Sequence, residues 1–324
     1  MITCIADEKL FLDFPELNEH FRMIKVAGDK IKDYITPEVD ALFIRTITKI
    51  NYNLIANSNV NFIGSATAGI DHVDTSLLKD NNIVFSHAPG ANAHAVADYI
   101  HCCVKYLALK PTTAAIIGCG EVGSRVVSRL KQLGFDVIAY DPPKAEHLGP
   151  AAWPQNSICD TYQADLICIH TPLTFDGAHP TYHMIDDQFL KHLKPGTTII
   201  NAGRGAVLCN DAILKNPQHT YCLDVFEGEP NMNPNVLKRC KVATPHIAGY
   251  SLPAKQRASA MIFNQAFKFF NIDDKIKLNS LTSMPYNESL INFDQLTQQL
   301  RNSPHDFENL RRFYTLRLEL TCDA

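Results

Sequence analysis

The chain has 324 residues, 46% of them apolar and 20% charged, with 30 Lys+Arg against 34 Asp+Glu for a formal charge of −4. At roughly 150 residues per domain this length suits about two domains. The composition excludes a disordered tail or a coiled coil, and the charge balance excludes a global positive field for nucleic acid or an anionic membrane.

Ten cysteines are scattered without a C-x-x-C, so neither a zinc knuckle nor a thioredoxin-type motif is expected. Many sit inside apolar runs and read as small hydrophobes in a reducing compartment. Asp7, Glu8 and Lys9 stand where a signal peptide needs an apolar run. No apolar stretch reaches the ~18 residues of a membrane span. These features predict a soluble cytoplasmic protein of two domains with no metal site and no membrane or nucleic-acid partner.

In chain order, residues 2–6 read as a strand and 9–21 as a helix. Residues 41–44 and 62–66 are short β-rich runs, 74–82 a helix capped by Asp74, and 83–87 a strand closed by Ala88-Pro89-Gly90. A long helix follows over 93–109. Val96, Ile100, Cys103, Val104 and Leu107 share one of its faces, and Lys110-Pro111 stops it. A second series then runs: strand 113–117, helix 121–132, and strands 136–140, 166–170, 197–201 and 220–225. Pro142-Pro143 and residues 150–157 read as loops, and 255–270 as a helix. Both series have the βα rhythm of a parallel sheet covered on both faces. From about residue 280 the chain is amphipathic and charged.

Gly118-Cys119-Gly120-Glu121-Val122-Gly123 is G-x-G-x-x-G directly after a predicted strand and opening a predicted helix, the context of a dinucleotide fingerprint. Gly118 suits the tight turn, Gly120 a close approach of backbone to pyrophosphate, and Gly123 the packing of helix on strand. Asp141 ends the next strand, 18 residues past Gly123. A carboxylate there accepts hydrogen bonds from ribose hydroxyls and repels a 2′-phosphate, which favours NAD over NADP.

Three further polar sets follow predicted strands: Asn201-Ala202-Gly203-Arg204-Gly205, Asp224…Glu227-Gly228-Glu229-Pro230, and Thr244-Pro245-His246…Gly249-Tyr250. Ligands of open α/β sheets bind at strand C-termini. An Arg, a Glu and a His delivered there suit oxidation of a hydroxy acid. Arg clamps a carboxylate, His takes the hydroxyl proton, and Glu orients the imidazole and raises its pKa. Singly, each reads as well as a salt bridge, a cap or a core histidine.

Together these residues resemble the D-2-hydroxyacid dehydrogenases over about residues 2–271. The resemblance implies two Rossmann-like, doubly wound parallel-sheet α/β domains, the nucleotide domain inserted in the substrate domain. The boundaries expected are 1–92 for the first part of the substrate domain, 93–251 for the NAD-binding domain, 252–279 for the return helix, and 280–324 for a short α+β dimerisation segment. It implies Arg204, Glu229 and His246 as catalytic trio, Glu229 rather than Glu227 because it immediately precedes Pro230. It places Asp224, Thr171 and Gly249, with Val122 and Ala202, along the cofactor.

A narrower resemblance rests on Arg45-Thr46-Ile47-Thr48-Lys49, on residues 64–74, on Thr171-Pro172-Leu173 with Thr181-Tyr182-His183, and on residues 246–250. It is to the branch that oxidises 4-phospho-D-erythronate in pyridoxal 5′-phosphate synthesis. It implies that Thr46, Thr67 and Tyr250 contact substrate. Arg45 and Lys49 add two cations to the hydroxyls of Thr46 and Thr48, a set suited to a phosphorylated acid or, equally, to a solvated basic turn. A phosphoglycerate or glyoxylate enzyme, or a NAD(H)-sensing corepressor, shares the scaffold, since function lies in the pocket. The resemblance also implies a homodimer through residues 307–319, where Phe307, Leu310, Phe313 and Tyr314 fall at helical spacings. Tyr106…Lys110 and the pair His179/His183 mimic catalytic and metal motifs, but read as a chance spacing and as loop residues.

Overall fold

The computed structural model describes residues 1–56, 58–278, 283–284 and 291–320. The chain divides into two compact units, Met1–Asn92 with Ser251–Ser283, and Ala93–Tyr250 with Met284–Ala324.

The first unit is built on five strands: β1 (Ile2–Asp7), β2 (Phe21–Val26), β3 (Ala41–Ile44), β4 (Phe62–Ser65) and β5 (Val84–His87). They form one sheet in the order β2-β1-β3-β4-β5, every pairing parallel. Strands β3 and β4 are buried along their whole length, as a sheet covered on both faces requires. The Leu252–Phe269 helix covers one face, placing Ile262, Phe263, Ala266 and Phe267 against Phe21, Phe43 and Phe62. Ile5, Leu42, Ile44 and Ile63 pack on the other face with Ile31 and Leu78.

One expectation fails in this unit and one strand goes unforeseen, each for a local reason. The helix expected over 9–21 is only Pro15–His20, because proline is tolerated at a helix start and not inside one. The strand that follows it, β2, carries no clean alternation; only Phe21 and Val26 of its six residues are buried. It lies at the edge of the sheet, where one-sided burial leaves a weak periodic signal. Asp74 does cap the Thr75–Asp80 helix, its side chain accepting from the Leu77 N–H.

The second unit holds β6 (Thr113–Ile117), β7 (Asp136–Tyr140), β8 (Leu166–Ile169), β9 (Thr198–Asn201), β10 (Thr220–Leu223) and β11 (Cys240–Ala243). The order is β11-β10-β9-β8-β6-β7, again all parallel. Both units are therefore doubly wound α/β sheets. The Ala93–Tyr106 and Glu121–Gln132 helices cover one face, bringing Tyr99, Ile100, Val126 and Leu130 onto Ile116, Cys168 and Cys222. Pro142-Pro143 is not a loop. It opens the Pro142–Leu148 helix, where a missing N–H costs nothing.

The C-terminal segment differs from the subunit stripe expected for it. Phe307 is fully buried in this unit's own core, with Leu310 packed against the same cluster. Tyr314 packs on the opposite core with Phe293. Of the four stripe residues Phe313 alone is on the surface, 75% exposed. The part of the expected segment at 280–282, 285–290 and 321–324 lies outside the described residues. None of the nine described cysteines is in a disulfide, and seven are buried, in keeping with their reading as small hydrophobes. Among the described residues no helix is long and apolar enough to cross a membrane.

Candidate active site

A doubly wound sheet opens a crevice where its winding reverses. In the second unit this point lies between β6 and β8, and Gly118 follows β6 directly. Its φ of +87° is a turn that L side chains rarely adopt, and a Cβ there would stand 2.7 Å from the Thr171 nitrogen at the end of β8. A Cβ on Gly123 would stand 1.9 Å from the Gly118 carbonyl oxygen, so helix and loop touch only because neither carries a side chain. A Cβ on Gly120 would meet nothing within 4 Å. The Glu121–Gln132 helix begins there without a side-chain cap, leaving its N-terminal donors open. The Thr171 hydroxyl is buried without a hydrogen-bond partner among the described residues. Open backbone at Gly120, an uncapped helix start and an orphaned hydroxyl fit a bound pyrophosphate and its ribose.

The neighbouring residues brace this loop. Asp141 accepts from the Cys119 N–H at 2.7 Å through one oxygen and from the Lys144 N–H at 3.0 Å through the other. Asp141 thus ties the Gly-rich loop to the helix it caps. Lys144, which sequence reasoning passed over, donates to the Cys119 carbonyl at 2.8 Å and lies 4.1 Å from the centre of the Trp153 ring. Val122 and Ala202 pack against the core beneath. His170 sits between Gly118 and Gly203, and burial pushes its imidazole down to about 3, so it stays neutral at working pH.

The polar loops after β9, β10 and β11 are drawn together by glycine and a buried acid. A Cβ on Gly205 would fall 2.0 Å from the Phe226 carbonyl carbon, so the Arg204 loop lies directly on the turn that carries Glu227 and Glu229. Asp224 is 1% exposed. Its carboxylate accepts from Thr244 Oγ1 at 2.6 Å and from the N–H groups of Ile247 and Ala248, each at 2.8 Å. Burial raises its pKa, and those donors counter the rise. Asp224 therefore holds the loop on which His246 stands. His246 itself has φ +55°, a left-handed conformation that costs a non-glycine residue.

The two candidate acids part here. Glu229 Oε2 lies 2.9 Å from His246 Nδ1, and its Oε1 accepts from the Phe226 N–H at 2.7 Å. Glu227 instead meets His183 Nε2 at 2.6 Å and accepts from the Asn210 N–H at 3.2 Å. Half-exposed His246 keeps Nε2 without a hydrogen-bond partner among the described residues. Arg204 lies on the turn after β9, half-buried, with Nη1 donating to the Gly203 carbonyl at 3.0 Å.

Two arginines that sequence reasoning missed brace the same loop from the C-terminal segment. Arg317, 7% exposed, donates to the carbonyls of Ile247 at 3.0 Å, Tyr250 at 2.7 Å and Ala95 at 2.8 Å, and to that of Ala248. Arg311 Nε donates to the Tyr250 hydroxyl at 2.8 Å. No motif flags guanidiniums that serve backbone carbonyls and a phenol. The decoys resolve into ordinary contacts. His183 pairs with Glu227, His179 with Glu146 at 2.7 Å, and the Tyr106 hydroxyl donates to Asp294 at 2.6 Å.

In the first unit, Arg45 follows β3 and its Nε donates to Asp7 at 2.9 Å. Thr46 and Lys49 are exposed, while Thr48 is turned inward, donating to the Gly28 carbonyl at 2.8 Å. Thr67 lies in a chain of hydroxyl contacts, 2.7 Å from Ser65 Oγ and donating to the Gly69 carbonyl at 2.8 Å. His72 closes that chain at 2.9 Å from Ser65, its pKa lowered chiefly by burial.

Comparison with known proteins fits this geometry. Residues 75–248 match the model of the D-isomer specific 2-hydroxyacid dehydrogenase, NAD binding domain. The chain belongs to this family. It is accordingly an NAD-dependent oxidoreductase. It is 40% identical to the erythronate-4-phosphate dehydrogenase of Coxiella burnetii (strain RSA 331 / Henzerling II), over 99% of this chain and 94% of that protein. It is also 40% identical to the enzyme of the same name from Escherichia coli O1:K1 / APEC, over 80% of this chain and 71% of that one. Among solved structures, NAD+-bound 3-phosphoglycerate dehydrogenase of Entamoeba histolytica shares the fold. It superposes with a TM-score of 0.70 at 22% identity, covering 86% of this chain and 99% of that one.

Proposed function

We propose that the chain oxidises the C2 hydroxyl of 4-phospho-D-erythronate to 2-oxo-3-hydroxy-4-phosphobutanoate, a step toward pyridoxal 5′-phosphate. The observation that carries the chemistry is the 2.9 Å contact of Glu229 with His246 Nδ1, which leaves Nε2 for the substrate. Glu229 holds the proton on Nδ1, so Nε2 presents a lone pair and takes the hydroxyl proton as general base. Arg204 pairs with the substrate carboxylate and fixes which face of C2 is presented. Bound NAD would supply the acceptor for the hydride that leaves C2.

Gly118, Gly120, Val122, Gly123, Thr171, Ala202, Asp224 and Gly249 line the cofactor in this reading. Asp141 receives its ribose hydroxyls, since each carboxylate oxygen already bonded to an N–H keeps further acceptor capacity. Thr46, Thr67 and Tyr250 contact substrate. The family resemblance extends the reading to a cytoplasmic homodimer. The substrate assignment draws its support from the 40% identity to relatives that bear the name erythronate-4-phosphate dehydrogenase.

The test is NADH formation at 340 nm with 4-phospho-D-erythronate, 3-phosphoglycerate, lactate and unphosphorylated erythronate, and NADH consumption with glyoxylate. The highest kcat/KM is expected with the phosphorylated four-carbon acid. A higher kcat/KM with 3-phosphoglycerate or glyoxylate would reassign the substrate. Saturable binding of NAD with no turnover of any acid would favour the sensing role.

A further inference from the structure

The winding of the first unit reverses between β1 and β3, and its buried charges collect at that point. Asp7 ends β1 and is fully buried. Its Oδ2 accepts from Arg45 Nε at 2.9 Å and its Oδ1 from the Lys9 N–H at 2.8 Å. Gly28 makes room for this carboxylate, since a Cβ there would stand 2.4 Å from Asp7 Oδ2. Asp7 thereby fixes Arg45 by its Nε, and the two Nη groups make no hydrogen bond among the described residues. That edge of a guanidinium is the one that matches a phosphate or carboxylate in a fork.

A third cation joins from far along the chain. Lys255 lies in the first turns of the Leu252–Phe269 helix, half-buried. The charges that act on it are Arg45, Lys9 and, with opposite sign, Asp7. Its ammonium makes no hydrogen bond or ion pair among the described residues. Burial first, and then the two neighbouring cations, hold its pKa below the ordinary lysine range. Three cations around one carboxylate leave a surplus of two positive charges at the C-terminal ends of β1 and β3, where open sheets bind ligands. A phosphate monoester carries about −1.5 to −2 at neutral pH, which matches that surplus.

We propose that Arg45, Lys255 and Lys9, set around the buried Asp7, form the site that takes the terminal phosphate of the substrate, with Lys255 as a specificity-determining residue. Lys49, the second cation that the local motif suggests, is exposed and is not among the charges acting on Lys255. Lys255 comes from a helix, not from the turn that carries Arg45. The proposal rests on the phosphorylated-acid reading above.

The experiment compares wild type, Lys255→Gln and Lys49→Gln, each saturated with NAD. Initial rates are taken on 4-phospho-D-erythronate and on unphosphorylated erythronate. In parallel, inorganic phosphate alone is titrated into each protein by calorimetry. The NAD dissociation constant checks that each variant is folded. For Lys255→Gln the ratio of kcat/KM between the two acids should fall about 30-fold, the low end of removing a partner from a desolvated charge pair. Phosphate should bind wild type and bind Lys255→Gln far more weakly, and Lys49→Gln should lose less than Lys255→Gln. Equal losses on both acids, or a larger loss for Lys49→Gln, would overturn the site. If wild type binds phosphate through Lys255 yet turns over neither acid, the site stands and the substrate reading falls. If wild type and Lys255→Gln oxidise the phosphorylated acid equally well, the substrate reading stands and the site falls.

Discussion

Glu229→Gln tests the chemistry at a single atom. Glu229 now accepts twice, from His246 Nδ1 and from the Phe226 N–H. A glutamine keeps one accepting oxygen and turns the other position into a donor. If its oxygen stays on the Phe226 N–H, its NH2 meets His246 Nδ1, and the imidazole must shift its proton to Nε2. The general base is then blocked. If the amide flips, the imidazole keeps its tautomer but two donors confront each other at Phe226, at a cost of about 1–3 kcal/mol. The first arrangement avoids that cost and is favoured, so turnover suffers more than stability. Losing a general base removes about 10² to 10⁴ in rate, or about 2.7 to 5.5 kcal/mol of barrier. The assay is kcat from NADH formation at saturating NAD and acid, with the NAD dissociation constant measured beside it. NAD binding should be unchanged. Glu227→Gln is the control. It breaks a partly exposed pair with His183, worth about 0.2–1 kcal/mol of stability, and should leave kcat within about three-fold. A large kcat loss in Glu227→Gln with little in Glu229→Gln would refute the assignment of the acid and the tautomer argument with it.

The glycines of the fingerprint should separate ligand space from folding space. Gly120→Ala adds a methyl where nothing stands within 4 Å, so the protein should fold and show a raised KM for NAD. Gly123→Ala adds one 1.9 Å from the Gly118 carbonyl oxygen and should lower the thermal midpoint in the absence of any ligand. The reverse pattern would show that the loop is not shaped for a dinucleotide. Arg317→Met removes three charge-assisted hydrogen bonds from the loop that bears His246 and one from Ala95, and should cost upwards of about 3 kcal/mol in denaturant unfolding. Arg317→Lys should recover part of that loss and part of kcat. If Arg317→Met left both stability and kcat unchanged, the C-terminal segment would not be bracing the catalytic loop.

What was legible in the chain before folding was local. Strands 41–44 and 113–117 stand in the structure at the bounds read from the sequence, because buried parallel strands are continuous apolar runs, and edge strand 136–140 and helix 121–132 stand at theirs. The Gly-rich loop was legible because a turn of positive φ between strand and helix admits few residues besides glycine. Three polar loops at strand ends could be picked out for the same reason, as punctuation between apolar runs. Local pattern failed where a neighbour elsewhere decides. Edge strand β2 owes its existence to pairing with β1, not to its own alternation. Pro142-Pro143 reads as a loop until Asp141 caps the helix they open. Phe307 and Leu310 look like a subunit stripe until the core of their own unit covers them.

The functional groups divide along the same line. Composition and spacing supply an Arg, two Glu and a His but hold no information on which carboxylate meets Nδ1. That follows from the fold, which lays Gly205 on the Phe226 backbone and turns Glu227 toward His183. Likewise Arg45 and Lys255 belong to no common motif. Their charges meet because the returning helix begins where β3 ends, and electrostatic attraction and repulsion depend on distance through space, not along the chain.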